Sequence, residues 1–195
     1  MIAPGLADPV LDAQAAFRAA MNALARPGTL QALPTNLSPP EPVTPELAAV
    51  ALTLADGDAP LWLDAPLAAI PAVSAFLRFH TGAPIVAEPR DAAFALVSDP
   101  ARLPAFDRFA PGTPEYPDRS ATLVLAVRRL WGGGDLLLTG PGIAGAARLG
   151  FEPRPPDLVS RWSANRALFP LGVDLLLVAP GLVAGLPRTT RMELA

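Results

Sequence analysis

Val173-Asp174-Leu175-Leu176-Leu177-Val178 decides the fold. Every residue but Asp174 is apolar, and nothing in the run alternates with period two. A strand with one wet face alternates apolar and polar side chains. A continuous apolar run is a strand covered on both faces, which places it inside a layered α/β structure. Ala179-Pro180-Gly181 closes the run with a turn. Thr122–Val127 and Leu136–Thr139 read as further strands, and the Gly132-Gly133-Gly134 tract between them suggests a hairpin with a loose turn. Leu61-Trp62-Leu63, Ile85-Val86 and Phe94–Val97 are shorter strands, and a last strand pair is expected around Leu182–Ala184 and Thr189–Met192.

The helices are bounded by proline, glycine and capping residues. Asp8 caps the first, Pro9 suits its first turn, and Val10, Ala13, Phe17, Met21 and Leu24 follow the spacing of an apolar face. Arg26-Pro27-Gly28 ends it, because the residue before proline is pushed out of the α region. Pro34 to Pro45 is a proline-rich connector. Thr44 and Pro45 start a second helix carrying Leu47, Val50, Ala51 and Leu54, which Asp56-Gly57 stops. A third helix is expected over Pro66–Phe79, with Ile70, Val73, Phe76 and Leu77 inward and Gly82 at its C′ position. Asp99-Pro100 opens a short helix, and Asp157–Ala167 is a helix presenting Leu158 and Trp162. Helices alternate with strands early and hairpins dominate late. The expectation is one three-layer α/β/α domain with a mixed sheet over residues 1–195, without internal repeats.

Composition narrows the chemistry. Cysteine is absent, which excludes disulfides, iron–sulfur ligation and a thiolate nucleophile. All fifteen Lys+Arg positions are arginine, so no lysine can hold pyridoxal phosphate as a Schiff base. His80 is the one histidine, so a multi-histidine metal site is impossible. No cofactor is expected. Net charge is −3 with aromatics at 6%, and no basic run exists, which argues against nucleic acid as a partner. No stretch reaches the ~18 apolar residues of a membrane span. The N-terminus lacks the charged and apolar regions of a secretory signal, so a cytoplasmic location is expected. Hydrophobic residues are 51%, charged ones 17% and mean hydropathy is +0.36, which leaves apolar surface for a partner to cover.

Each candidate motif has a plain structural reading beside the chemical one. Gly140-Pro141-Gly142-Ile143-Ala144-Gly145 matches a dinucleotide fingerprint, but a hairpin strand precedes it. Gly150, Pro153, Pro155 and Pro156 leave no room for the crossover helix. Asp56-Gly57-Asp58 offers two carboxylates to Mg²⁺, or simply turns the chain. Arg78 and His80 end a helix, where an imidazole serves as base or anion ligand, or favours the helix C-terminal carbonyls. Arg188-Thr189-Thr190-Arg191 suits a phosphate or phosphonate oxygen. In a strand, however, Arg188 and Thr190 face one side and Thr189 and Arg191 the other, so at most half the cluster converges on one ligand. Arg78, His80, Arg188 and Thr190 are the anion or interface candidates, and no catalytic residue is assigned.

Several segments, read as whole strings, resemble one family. They are Phe17-Arg18 through Ala25-Arg26-Pro27-Gly28; Leu52-Thr53-Leu54-Ala55-Asp56-Gly57-Asp58-Ala59-Pro60-Leu61-Trp62-Leu63; and Leu77-Arg78-Phe79-His80-Thr81-Gly82-Ala83-Pro84. Gly112-Thr113-Pro114 with Ala121-Thr122-Leu123 follows, then Leu138-Thr139-Gly140-Pro141-Gly142-Ile143. Phe169-Pro170-Leu171-Gly172-Val173-Asp174-Leu175 and Pro187-Arg188-Thr189-Thr190 complete the series. In this order they resemble PhnH, the H subunit of the bacterial carbon–phosphorus lyase system. Ala59 stands where a threonine before the proline is common, and Ala144–Pro156 departs most.

The resemblance implies a subunit of phosphonate breakdown. With the G, I and L subunits it would be required to transfer the ribose triphosphate of ATP to an alkylphosphonate, displacing adenine. The J subunit, an iron–sulfur radical enzyme, would then cut the carbon–phosphorus bond. The resemblance also implies a fold similar to the large domain of pyridoxal-phosphate-dependent transferases, without a cofactor site. The expected partners are the G, I, J and L subunits, with a homodimer when the chain is isolated. The other reading is a stand-alone phosphate- or nucleotide-binding α/β protein using Gly140–Gly145, His80 and Arg188.

Overall fold

The computed structural model describes residues 2–195. β8 (Asp174–Ala179) lies inside a seven-stranded sheet of order β1-β9-β8-β5-β4-β2-β3. Its neighbours are β5 (Thr122–Ala126), parallel to it, and β9 (Leu182–Leu186), antiparallel. β4 (Phe94–Val97), β2 (Leu61–Leu63) and β3 (Ile85–Val86) continue the parallel half, and β1 (Gln31–Ala32) closes the other edge against β9. The sheet is mixed, as expected.

Successive side chains of β8 point to opposite faces and enter different cores. Leu176 and Val178 join α1 (Leu11–Ala25), α2 (Pro45–Leu54) and α4 (Pro71–Thr81) in a first core. Leu175 and Leu177 join a second core on the other face. There the α/β/α expectation needs correction. The covering layer is largely a three-stranded antiparallel sheet, β10-β6-β7, with α5 (Leu158–Arg166) and short 3₁₀ turns beside it.

Three strand expectations change with it. β6 (Arg129–Thr139) is one long strand with a register shift between Gly132 and Leu136, so the glycine tract is a bulge and not a hairpin turn. The left-handed φ of +71° at Gly133 makes the bulge possible. Thr122–Ala126 and Leu136–Thr139 therefore belong to different sheets. β9 and β10 (Arg191–Leu194) are not a pair: β9 joins β8, β10 joins β6, and Pro187–Thr190 carries the chain between sheets. β7 (Ala147–Glu152) stands where the sequence reads only as a broken segment. Its Gly150 is covered by Trp131 directly across the ladder, and an added Cβ would lie 2.2 Å from that ring.

The helices start as read, with Asp8 accepting from Val10 and Leu11 N–H and Thr44 from Leu47 N–H. The third helix is in fact two, because Pro71 begins a new helix after α3 (Ala65–Ala68). Ile70, in the break, is exposed, while Val73, Phe76 and Leu77 are buried. The larger correction concerns α1. It buries Ala16, Ala19, Ala20 and Ala23, while Val10, Phe17 and Met21 stand 63%, 51% and 49% exposed. The alanine face is required because the helix lies almost on the backbone of β9. A Cβ on Gly185 would fall 2.6 Å from the Ala23 carbonyl carbon. No helix among the described residues is long and apolar enough to cross a membrane.

This close approach predicts a contrast between two glycines. Gly185→Ala should cost about 1–3 kcal/mol in urea unfolding, since helix and strand must separate to admit a methyl group. Gly57→Ala, where an added Cβ meets nothing within 4 Å, should change stability by less than about 0.5 kcal/mol.

Candidate functional site

Ligands of parallel α/β sheets bind beyond the carboxyl ends of strands, where successive connections leave on opposite faces. Here that point lies between β2 and β4. The chain leaves β2 through α3 and α4 on the first core, and leaves β4 through turns carrying Leu103, Phe106 and Phe109 on the second. Asp64, buried at the end of β2, fills the place with its own carboxylate. It accepts from Leu67 N–H at 3.2 Å, capping α3. It also accepts from Ser98 N–H at 2.7 Å, Ser98 Oγ at 3.0 Å and Asp99 N–H at 2.9 Å, at the end of β4. These bonds tie the two strand ends together. Nothing in the sequence patterns singled out Asp64; the available signal was its place just after a short strand and just before Ala65-Pro66.

At the opposite, amino ends of β5 and β8 stands Arg188. Its backbone N–H and Nε donate to Asp174 Oδ1 at 2.7 and 3.1 Å, and Nη2 donates to Asp174 Oδ2. Nη2 also donates to Ser120 Oγ, and Nη1 to the carbonyls of Pro117 and Pro170 at 2.9 and 3.4 Å. A guanidinium has five N–H donors, and all five are engaged inside the protein. The ion pair is largely buried, the two side chains being 13% and 18% exposed. Arg188 thus clamps the 111–120 and 167–172 loops onto the starts of two central strands.

Thr190 does not share a face with it, because residues 188–190 form a turn and β10 begins at Arg191. Thr190 is fully buried. Its carbonyl accepts from Trp162 Nε1 at 2.8 Å, and its hydroxyl has no partner.

Arg78 and His80 lie elsewhere, on the last turn of α4. Arg78 is exposed. His80 Nε2 lies 2.9 Å from the Ala3 carbonyl, so that nitrogen carries the proton and donates. The ring stands edge-on between Phe76 and Phe79, and Gly5 passes so close that an added Cβ would sit 2.7 Å from Nδ1. His80 therefore holds the N-terminal segment, whose Ala3 and Leu6 pack on the first core. The structure does not bring the two candidate pairs together. Gly140–Gly145 is the turn between β6 and β7, with no helix after it, which removes the dinucleotide geometry. Asp56-Gly57-Asp58 is a surface turn in which Asp58 N–H donates to Asp56 Oδ1 at 2.9 Å.

On the outer face of the small sheet, a shallow depression of about 650 Å³ is lined by Trp131, Asp135, Arg148 and Arg154. Arg154 Nη1 donates to Asp135 Oδ2 at 2.8 Å, and Nη2 to Oδ1. These bonds from Arg154 hold the Asp135 carboxyl below its ordinary value of 3.8.

The model of a family described as bacterial phosphonate metabolism protein (PhnH) matches residues 4–193. The chain is 45% identical over 187 residues to the alpha-D-ribose 1-methylphosphonate 5-triphosphate synthase subunit PhnH of Rhizobium meliloti (strain 1021). That alignment covers 96% of this chain and 93% of the relative. It is also 45% identical over 86 residues to a putative C-P lyase subunit protein, HtxG, of Stutzerimonas stutzeri, covering 43% of each.

Two measurements separate framework from site. Arg188→Ala, which leaves Asp174 buried and unpaired, should destabilise the protein by about 3 kcal/mol or more. Thr190→Val removes only an unsatisfied hydroxyl and should lie within about 1 kcal/mol of wild type. The Asp135 carboxyl is depressed in the folded state, so its contribution is present above the unfolded value and lost as pH falls through the folded one. NMR titration of Arg154→Ala should return Asp135 to its ordinary value of 3.8. The exposed pair itself should contribute only about 0.5 kcal/mol at neutral pH.

Proposed function

The chain belongs to the PhnH family of bacterial phosphonate metabolism, and from that premise we propose that it works as a subunit of a carbon–phosphorus lyase system. In this reading it is required, with the G, I and L subunits, for transfer of the ribose triphosphate of ATP to an alkylphosphonate. The carrying observation is the near full-length match to a relative named as a subunit of that synthase.

The rest of the reading joins what the family resemblance implies to the side-chain inventory. The chain acts within the assembly and is not catalytic alone, because it has no lysine, no cysteine and one histidine, and that histidine binds its own N-terminal segment. It holds no resident cofactor, and its fold is that of the large domain of pyridoxal-phosphate transferases with the cofactor site lost. It is a single cytoplasmic domain that docks on the G, I, J and L subunits through apolar and arginine-bearing surface. When isolated, two copies cover the same surface on each other. A stand-alone phosphate-binding role gains no support, since Arg188 has no free donor and stands apart from His80.

The test is reconstitution. Co-expressed with its G, I, J and L companions, the chain should co-purify with them. The assembly lacking it should lose ribose-triphosphate transfer. Calorimetry of the chain alone with ATP or methylphosphonate should give no saturable heat; saturable heat would favour the stand-alone reading instead.

A further inference from the structure

We infer that residues 2–7 are a strap that opens and closes as one unit over a cavity in the helical layer, with His80 as its latch. The inference goes beyond the subunit reading and does not depend on it.

A segment outside helices and sheets is held by its hydrogen bonds and its buried side chains. Residues 2–7 have little of either. Among the described residues, no backbone–backbone hydrogen bond reaches them, and their one polar tie is the 2.9 Å bond between His80 Nε2 and the Ala3 carbonyl. Of their side chains, Ala3 and Leu6 pack on the first core, and both are only partly buried. The strap ends abruptly at Asp8. That carboxylate accepts from Val10 and Leu11 N–H, and Asp8 N–H donates to Asp12 Oδ2 at 3.0 Å. The start of α1 is thus fixed by its own cap, and lifting the chain as far as Ala7 leaves the helix intact.

What lies beneath separates the strap from a frayed end. Gly5, Leu6 and Ala7 border a cavity of about 210 Å³, and Ala16, Leu37 and Ala49 line it from the first core. A segment seated on close-packed side chains loses many contacts on lifting; one that roofs a cavity loses few. The latch, by contrast, is firmly placed. The His80 ring stands edge-on to Phe76 and Phe79, with centroids 4.7 and 5.0 Å away. It also meets Gly5, where an added Cβ would sit 2.7 Å from Nδ1 and 2.8 Å from Cε1. Only glycine lets the strap lie against the ring at that position. The chain's one histidine is therefore committed to holding this segment. A loosely tied strap on a fixed latch over a cavity is a gate. It opens by giving up one hydrogen bond and two partly buried side chains, far less than global unfolding requires, and opening uncovers the apolar cavity wall.

The experiment is thiol labelling of the full chain, which has no cysteine of its own. Ala16→Cys places a sulfur on the cavity wall, where there is room for it. With a small methanethiosulfonate reagent it should react at least ~100-fold more slowly than Ala146→Cys, whose position is exposed. The rate should be nearly independent of urea well below the unfolding transition, because opening the strap exposes little surface. His80→Phe keeps a ring and removes the donor, and should speed labelling about 5-fold, as the loss of one hydrogen bond predicts. Gly5→Ala should speed it too, by pushing the strap off the ring. Leu37→Cys, which adds no volume, reports on the same cavity if Ala16→Cys does not fold. The inference is overturned if the cavity cysteine reacts as fast as Ala146→Cys, or if its labelling rises with urea in step with global unfolding. It is equally overturned if His80→Phe and Gly5→Ala leave the rate unchanged.

Discussion

Everything in this fold depends on burying β8 on both faces. Leucines at 175 and 177 enter one core while Leu176 and Val178 enter the other. Each buried leucine contributes on the order of 1.5–3 kcal/mol only if its face is covered. The chain must therefore build two covering layers, and it does so differently on each side. Helices α1, α2 and α4 cover the first face; the β10-β6-β7 sheet and α5 cover the second. Neither layer is dispensable, because removing one exposes alternate residues of every central strand.

The polar residues serve the same end. Asp64 and Arg188 are the two largest hydrogen-bond hubs, and they sit at opposite ends of the parallel strands. Asp64 joins the ends of β2 and β4, where such sheets usually leave a ligand crevice. Arg188 joins the starts of β5 and β8 to two loops. A carboxylate already accepting four hydrogen bonds and a guanidinium donating all five of its own are framework groups. Recruiting either for a ligand would require an internal bond to break first.

What the sequence made legible follows from where information is local. The continuous apolar runs of β8 and β5, the caps at Asp8 and Thr44, and the Gly82 stop are local, and they stand in the structure. Sheet membership is not local. Leu136–Thr139 reads equally well as the second arm of a hairpin with Thr122–Val127 or as the centre of another sheet. Only the glycine bulge and the pairing of Trp131 with Gly150 decide between them. The candidate site was less legible still. Arg188 was visible as a cation beside hydroxyls, but its four partner residues lie up to 71 positions away. The sequence distance between Ala3 and His80 likewise hid the imidazole's hydrogen bond, 77 residues apart.

α1 shows how a correct periodicity can point the wrong way. Amphipathic spacing says that a face seeks apolar surroundings; it does not say whose. In α1 two demands compete for the same helix. Close contact with Gly185 of β9 admits only alanine, so the small side chains turn inward and the large ones are left outside. For a monomer that arrangement wastes the strongest apolar residues of the helix. The same 15-residue helix packs tightly on its own sheet and leaves an apolar ridge exposed. The inversion of size across α1 is carried by the sequence but readable only once the sheet beneath the helix is known.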